Sequence, residues 1–170
     1  MEQNQYLHEV AITAIIVKDG PSTGSGQAKY LITRRAPHKK RFPGMWTVPG
    51  GKMETSDYLQ LPKETEHYWY NVLERTLRRE VKEEVGIDID NIEYVTSLAT
   101  VHADGSPSLV ISCMANYVSG NIQLQPEESD QFAWVNLAEA KNYQLIDGIY
   151  DELVMTENKR NGNKTEWKRF

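Results

Sequence analysis

The chain has 170 residues, 39% of them hydrophobic and 25% charged, with a net charge of −5, which are the proportions of one globular domain with a proper core rather than of a disordered or membrane-embedded chain. The acidic balance excludes a global nucleic-acid surface. No run approaches the about eighteen apolar residues of a membrane span, and the opening Met1-Glu2-Gln3-Asn4-Gln5 lacks the regions of a signal peptide, so the cytoplasm is the expected compartment, with no membrane and no nucleic-acid polymer as partner.

Residues 8–17 read as a strand whose two alternating sets are both largely apolar, which requires cover on both faces. Gly20-Pro21-Ser22-Thr23-Gly24-Ser25-Gly26 reads as a flexible turn before a second strand over 29–35. A basic loop with His38, Lys39, Lys40 and Arg41 leads to Trp46 and then to Pro49-Gly50-Gly51. Residues 65–85 carry an apolar helical period that Gly86 is placed to end. Strands over 92–101 and 108–118 are joined through Asp104-Gly105, a hairpin signal. The lone cysteine, Cys113, lies in the second of these apolar runs and reads as a core residue. A short strand follows at 132–135, then a helix capped by Asn136 and a last one capped by Asp147 and ending near Met155. Beyond Glu157 the chain turns polar and basic, so residues 1–157 are expected to form one domain and 158–170 a mobile tail. Strands buried on both faces need helical layers over them, so the expected class is α/β, with a mixed sheet between helices.

The run Arg79-Glu80-Val81-Lys82-Glu83-Glu84-Val85-Gly86-Ile87 concentrates three carboxylates in about a turn and a half of helix. With Glu80 placed at zero on a helical wheel, Leu73, Leu77, Val81 and Val85 fall at about 20°, 60°, 100° and 140°, and Glu84 at about 40°. Glu84 therefore lies inside the apolar stripe, where a carboxylate is costly unless paired or metal-bound. Arg79 stands four residues before Glu83 and can neutralise one acid but not three. A divalent cation would relieve both the burial and the repulsion. Carboxylates without a Cys/His cluster suit Mg²⁺ or Mn²⁺ rather than zinc.

Gly51 and the run 79–87 resemble the Nudix hydrolase signature, Gly-x5-Glu-x7-Arg-Glu-U-x-Glu-Glu-x-Gly-U, where U is a bulky aliphatic residue. The second half matches at every fixed position. The first half departs, because Arg79 follows Gly51 by 28 residues where the signature has 14, an excess of about fourteen. Its first Glu then corresponds either to Asp57, counting forward from Gly51, or to Asn71, counting back from Arg79. The strand ending in Arg34-Arg35, with Trp46 and the Pro-Gly-Gly turn, extends the likeness to MutT-type members.

The resemblance implies a Nudix fold, an α/β/α sandwich, and hydrolysis of a nucleoside diphosphate linked to another group, here a nucleoside triphosphate. ADP-ribose or another diphosphate conjugate, or a non-catalytic nucleotide-sensing module, are the alternatives. It implies Glu83, Glu84 and the Gly50 carbonyl as metal ligands, Glu80 as base or further ligand, Arg79 as the residue orienting the acids, and Glu128 as an additional ligand. It also implies Arg35 as a substrate contact. Because Arg34 and Arg35 alternate across the strand, one of them is expected to make a surface ion pair instead. Lys39 and Lys40 are candidates for phosphate steering, and Trp46 for stacking on a base, weighed against packing. The aromatic-rich extra segment, 58–70, is expected to pack on the domain, to form a homodimer contact or to wall the substrate site.

Overall fold

The computed structural model describes residues 7–19, 27–164 and 166–167; the glycine-rich turn expected at 20–26 lies outside them. Seven strands form one mixed sheet: β1 (Glu9–Lys18), β2 (Lys29–Arg35), β3 (Trp46–Thr47), β4 (Gly50–Lys52), β5 (Asp88–Val101), β6 (Pro107–Ser119) and β7 (Ser129–Val135). The main path runs β3-β2-β1-β6-β5, with β4 added to β1 and β7 to β2. β1 and β6 are parallel, and the remaining pairings are antiparallel. Helix α1 (Val72–Val85) covers one face, and α2 (Leu137–Ala140) and α3 (Ile149–Arg160) lie on the other.

The two apolar sets of β1 divide between these layers. Ile12, Ala14 and Ile16 pack with Leu77, Val81 and Val85 of α1, whereas Ile15 and Val17 pack with Ile149 and Leu153 of α3. The expected α/β/α sandwich with a mixed central sheet is the observed one.

Strands β5 and β7 start earlier than the sequence reading, at Asp88 and Ser129 rather than at 92 and 132, and three helix boundaries differ from it, each for a local reason. Helix α1 begins at Val72 rather than at 65, because Asn71 takes a left-handed conformation at φ 54°. Ahead of it, the N–H groups of Glu64 and Thr65 both donate to the Tyr68 carbonyl, so donors precede their acceptor, the reverse of a helix. Helix α3 is entered through Gly148 at φ 88°, a conformation suited to glycine, so Asp147 is not its cap. It also runs to Arg160, past the expected tail boundary, where Lys159 pairs with Glu93 (3.2 Å) and Arg160 with Asp19 (2.5 Å). Asn136 does cap α2, accepting from the Glu139 N–H while the Glu139 carboxylate accepts from the Asn136 N–H.

Candidate active site

One strand segment too short to read from sequence, β4, delivers the site's backbone. Gly50, Gly51 and Lys52 pair with Thr13, Ile12 and Ala11 of β1, which lays the double glycine against the acidic face of α1. The approach requires glycine at Gly50, where the neighbour is backbone, and at Gly51 any side chain would displace the Glu80 carboxylate. A Cβ on Gly50 would stand 2.3 Å from the Ile12 carbonyl oxygen, and one on Gly51 would stand 2.3 Å from the Glu80 carboxyl carbon.

Arg79 is the hub of one half of the site. Its Nε donates to Asp57 Oδ1 at 2.5 Å, and its Nη1 meets Glu80 Oε1 at 2.9 Å and Glu83 Oε2 at 3.0 Å. Nη2 donates to the Lys52 carbonyl at 3.2 Å. One guanidinium therefore serves three acids, more than its spacing from Glu83 alone indicates. Five fixed N–H donors make this arrangement available to arginine. Asp57, at the end of a single 3-10 turn (Thr55–Asp57), has a side chain only 2% exposed and also accepts from Thr76 Oγ1 at 2.7 Å. The Arg79 guanidinium holds its carboxyl down to about 2 and is itself held protonated by Asp57. Of the two residues that could stand for the signature's first acid, Asp57 meets Arg79, while Asn71 makes no side-chain cap.

Glu84 forms the other half and is not touched by Arg79. Its Oε2 accepts from the Gly50 N–H at 3.0 Å. Burial pushes its carboxyl up to about 8, with Glu80 and Glu128 adding repulsion and Arg35 only partly offsetting it. The wheel's placement of this acid in the apolar stripe thus has a measurable consequence. Glu80 is also raised by burial, against the pull of Arg79, whereas Glu83 is 53% exposed.

Glu128 reaches this neighbourhood because its loop is tied to the end of α1, where Gln125 N–H donates to the Glu84 carbonyl and Gln123 N–H to that of Val85. Its carboxylate is paired with Lys39 at 2.5 Å. Among the described residues, no three His, Cys, Asp or Glu side chains converge in ligating geometry, since Arg79 draws Glu80 and Glu83 to itself and Lys39 draws Glu128. The donor set itself, carboxylates and a backbone carbonyl, fits a hard divalent cation.

Beside the acids opens a cleft of about 1060 Å³, lined by Arg35, Lys39, Lys40, Arg41 and Lys52 together with Asp104, Glu127 and Glu128. Arg35 Nε donates to the Arg41 carbonyl at 2.9 Å. Arg34 points elsewhere and makes a two-pronged pair with Asp130 at 2.8 and 2.6 Å, so it is the surface member of the Arg-Arg pair. Trp46 lies edge-on to Tyr143 (centroids 4.7 Å apart, planes at 75°), packs against the core on the α3 side and does not line the cleft.

The rim of the cleft holds residues that sequence reasoning missed. Arg41 Nη1 contacts His102 Nε2 at 3.0 Å, and Lys52 pairs with Glu9 at 2.6 Å. Only the basic run 38–41 offered a signal for them, because His102 and Glu9 arrive by tertiary packing.

The segment after Asp57 folds on itself. The Tyr58 and Trp69 rings pack tilted at 54° with centroids 5.3 Å apart, Lys63 lies 4.8 Å over the Trp69 ring, and Glu64 ties the segment to α1 through Arg75.

The chain matches the NUDIX domain over residues 8–154 and belongs to the Nudix hydrolase family. It is 29% identical over 132 residues to the nucleoside triphosphatase NudI of Klebsiella pneumoniae, covering 70% of this chain and 81% of that one. It is 26% identical over 119 residues to the NAD-capped RNA hydrolase NudC of Vibrio atlanticus, covering 70% of this chain but only 38% of the relative's length. The fold is shared with the MutT NUDIX hydrolase of Burkholderia pseudomallei at a TM-score of 0.66 and 22% identity, covering 88% of this chain and 98% of the other. Among the described residues, no helix is long and apolar enough to cross a membrane.

Proposed function

We propose that the protein is a Mg²⁺- or Mn²⁺-dependent pyrophosphohydrolase acting on a nucleoside diphosphate-X substrate, with a nucleoside triphosphate as the favoured substrate. The observation that carries the reading is Glu84, a carboxylate held beside the Gly50-Gly51 backbone and pushed up to about 8 with a single backbone donor. A buried acid of that kind is stabilised by a cation. Glu80, Glu83, Glu84 and Glu128 with the Gly50 carbonyl are the residues that would hold it. Bound there, the dication would withdraw charge from the phosphate oxygens and favour ionisation of an attacking water.

The chain's own groups supply the rest. Glu80, part-buried and raised, is the candidate general base or further ligand. Arg79 orients Glu80 and Glu83 against Asp57, which takes the part of the signature's first acid, and residues 58–70 are taken as the insertion that separates the two halves of the box. Arg35 and Lys39 hold substrate phosphates. Lys39 is paired with Glu128, and with Glu128 turned to a cation its ammonium would be available to phosphate. Trp46 is better read as a packing residue than as a base platform, given its contact with Tyr143. We further propose one domain that includes α3 to Arg160, followed by a polar tail, a cytoplasmic location and a small-molecule nucleotide as partner. ADP-ribose or a similar conjugate is the second substrate class. A nucleotide-sensing module is disfavoured by the retention of Glu80, Glu83 and Glu84.

The test is release of phosphate or pyrophosphate from a panel of nucleoside triphosphates, dinucleotides and ADP-ribose with and without Mg²⁺. Metal-dependent release from triphosphates is the expected outcome; tight binding without turnover on every member would favour the sensor.

A further inference from the structure

The sheet ends at β5, a strand of 14 residues whose two halves are built differently. The first half is protected against pairing. It carries Asp88, Asp90 and Glu93, a left-handed Asn91 at φ 48° and two irregularities of register. The second half, Tyr94-Val95-Thr96-Ser97-Leu98-Ala99-Thr100-Val101, has no charge, proline or glycine. Tyr94, Leu98 and Val101 are 58%, 39% and 71% exposed. Among the described residues, no strand pairs with the outer edge of this half. An open, uncharged edge of strand-forming residues is a template for another strand.

We propose that this edge pairs antiparallel with the same edge of a second copy of the chain, about a two-fold axis at Leu98. The register with β6 identifies the axis. The ladder is regular from Thr96 opposite Ser112 to Val101 opposite Pro107, and one register shift between Tyr94 and Thr96 leaves Val95 as the extra, inward residue. Tyr94, opposite Cys113, therefore shares a face with Ser97, Ala99 and Val101, opposite Ile111, Leu109 and Pro107.

A two-fold axis perpendicular to the sheet keeps faces matched, so each residue must meet one from its own face. Centred on Leu98, it sets Leu98 against Leu98 of the partner subunit and Thr96 against the partner's Thr100. It also sets Ser97 against the partner's Ala99, and Tyr94 against the partner's Val101, an aromatic and β-branched cross-strand pair. One step further out, Glu93 meets the partner's His102, so an acidic end lies against the basic rim at both ends. Centring on Ser97 instead would set Tyr94 against Ala99 and Thr96 against Leu98, losing both apolar matches. Identical edges paired in parallel would not close. Because Thr100, Val101 and His102 line the cleft, the partner's Tyr94 adds a wall to it in each copy.

The inference does not depend on the reaction, and its test reads mass and cross-linking. Sedimentation of the full chain over a micromolar concentration series is expected to give twice the 19.5 kDa chain mass, and Leu98→Lys, which places two ammonium groups face to face at the axis, is expected to give the single-chain mass with an unchanged circular dichroism spectrum. Should that variant misfold, Leu98→Cys keeps the test open. The one native thiol, Cys113, is buried, so oxidation is expected to link Leu98→Cys into a covalent dimer and to leave Val118→Cys, exposed at the far end of β6, unlinked. A wild-type chain of single mass throughout the series, a dimer that survives Leu98→Lys in folded form, or equal linkage of the two cysteine variants would overturn the proposal.

Discussion

The two halves of the acid cluster meet along the last turns of α1, the first joined there by Asp57 from the preceding 3-10 turn, and have opposite electrostatics. Around Arg79, Asp57 is held down to about 2 and is fully paired, with the guanidinium shared among three carboxylates. One residue past Glu83, Glu84 is pushed up to about 8 and has a single backbone donor. In the first half the Asp57–Arg79 pair holds its charge at any working pH. The second holds an acid in a place that disfavours its charge until a cation arrives. Helix geometry causes the split, since Arg79 reaches Glu83 at i+4 while Glu84 is rotated by about 100° into the stripe beside the core.

The sharpest way to break this contrast is Glu84→Gln, which is expected to reduce turnover by about 10²-fold or more while leaving cooperative unfolding intact, measured by phosphate release beside thermal melts. Arg79→Ala attacks the other half. It strands Asp57 without its cation and is expected to destabilise the chain by about 3–5 kcal/mol, read by urea denaturation.

The same comparison has a pH signature with opposite signs. Asp57, with a depressed carboxyl, contributes stability above its ordinary value near 3.8 that is lost as pH falls toward about 2; the contribution is about 2 kcal/mol, and Asp57→Asn removes it. Glu84, with a raised carboxyl, contributes in the other direction. In metal-free protein its contribution is present below about 4.5 and is lost as pH rises through about 8. Melting temperature against pH, with Glu84→Gln as control, checks both, and Glu84→Gln is expected to abolish the loss between about 4.5 and about 8. The smallest effects separate the neighbouring arginines. Arg35→Ala is expected to raise KM about tenfold with little change in kcat, whereas Arg34→Ala, which removes a surface pair with Asp130, is expected to change neither.

How much of this was legible in the sequence follows from range. The stripe of Leu77, Val81 and Val85 and the misplaced Glu84 are one-helix properties, and the wheel finds them because helical period is local. The strands that became β1, β2, β5 and β6 are long enough to show alternation or apolar runs. β3 and β4 have two and three residues, too few for any period, so the sheet register that brings Gly50 and Gly51 to the acids is invisible until the fold exists. The start of α1 was misjudged because Tyr68, Trp69 and Tyr70 fit the helical pattern, while a turn closed by the Tyr68 carbonyl and the left-handed Asn71 took precedence. Pairings such as Asp57 with Arg79, 22 residues apart, and Lys39 with Glu128, 89 apart, leave no local trace. Counting the signature from Gly51 did, however, bring Asp57 forward as a candidate.

The claim that Glu84 is an acid reserved for a cation is tested most directly by calorimetric titration of Mg²⁺ at pH 7 in two buffers of different ionisation enthalpy. A carboxyl raised to about 8 is mostly protonated there, so the wild-type chain is expected to release close to one proton per Mg²⁺ bound and Glu84→Gln to release none. Binding without proton release, or the same release from both proteins, would contradict the account.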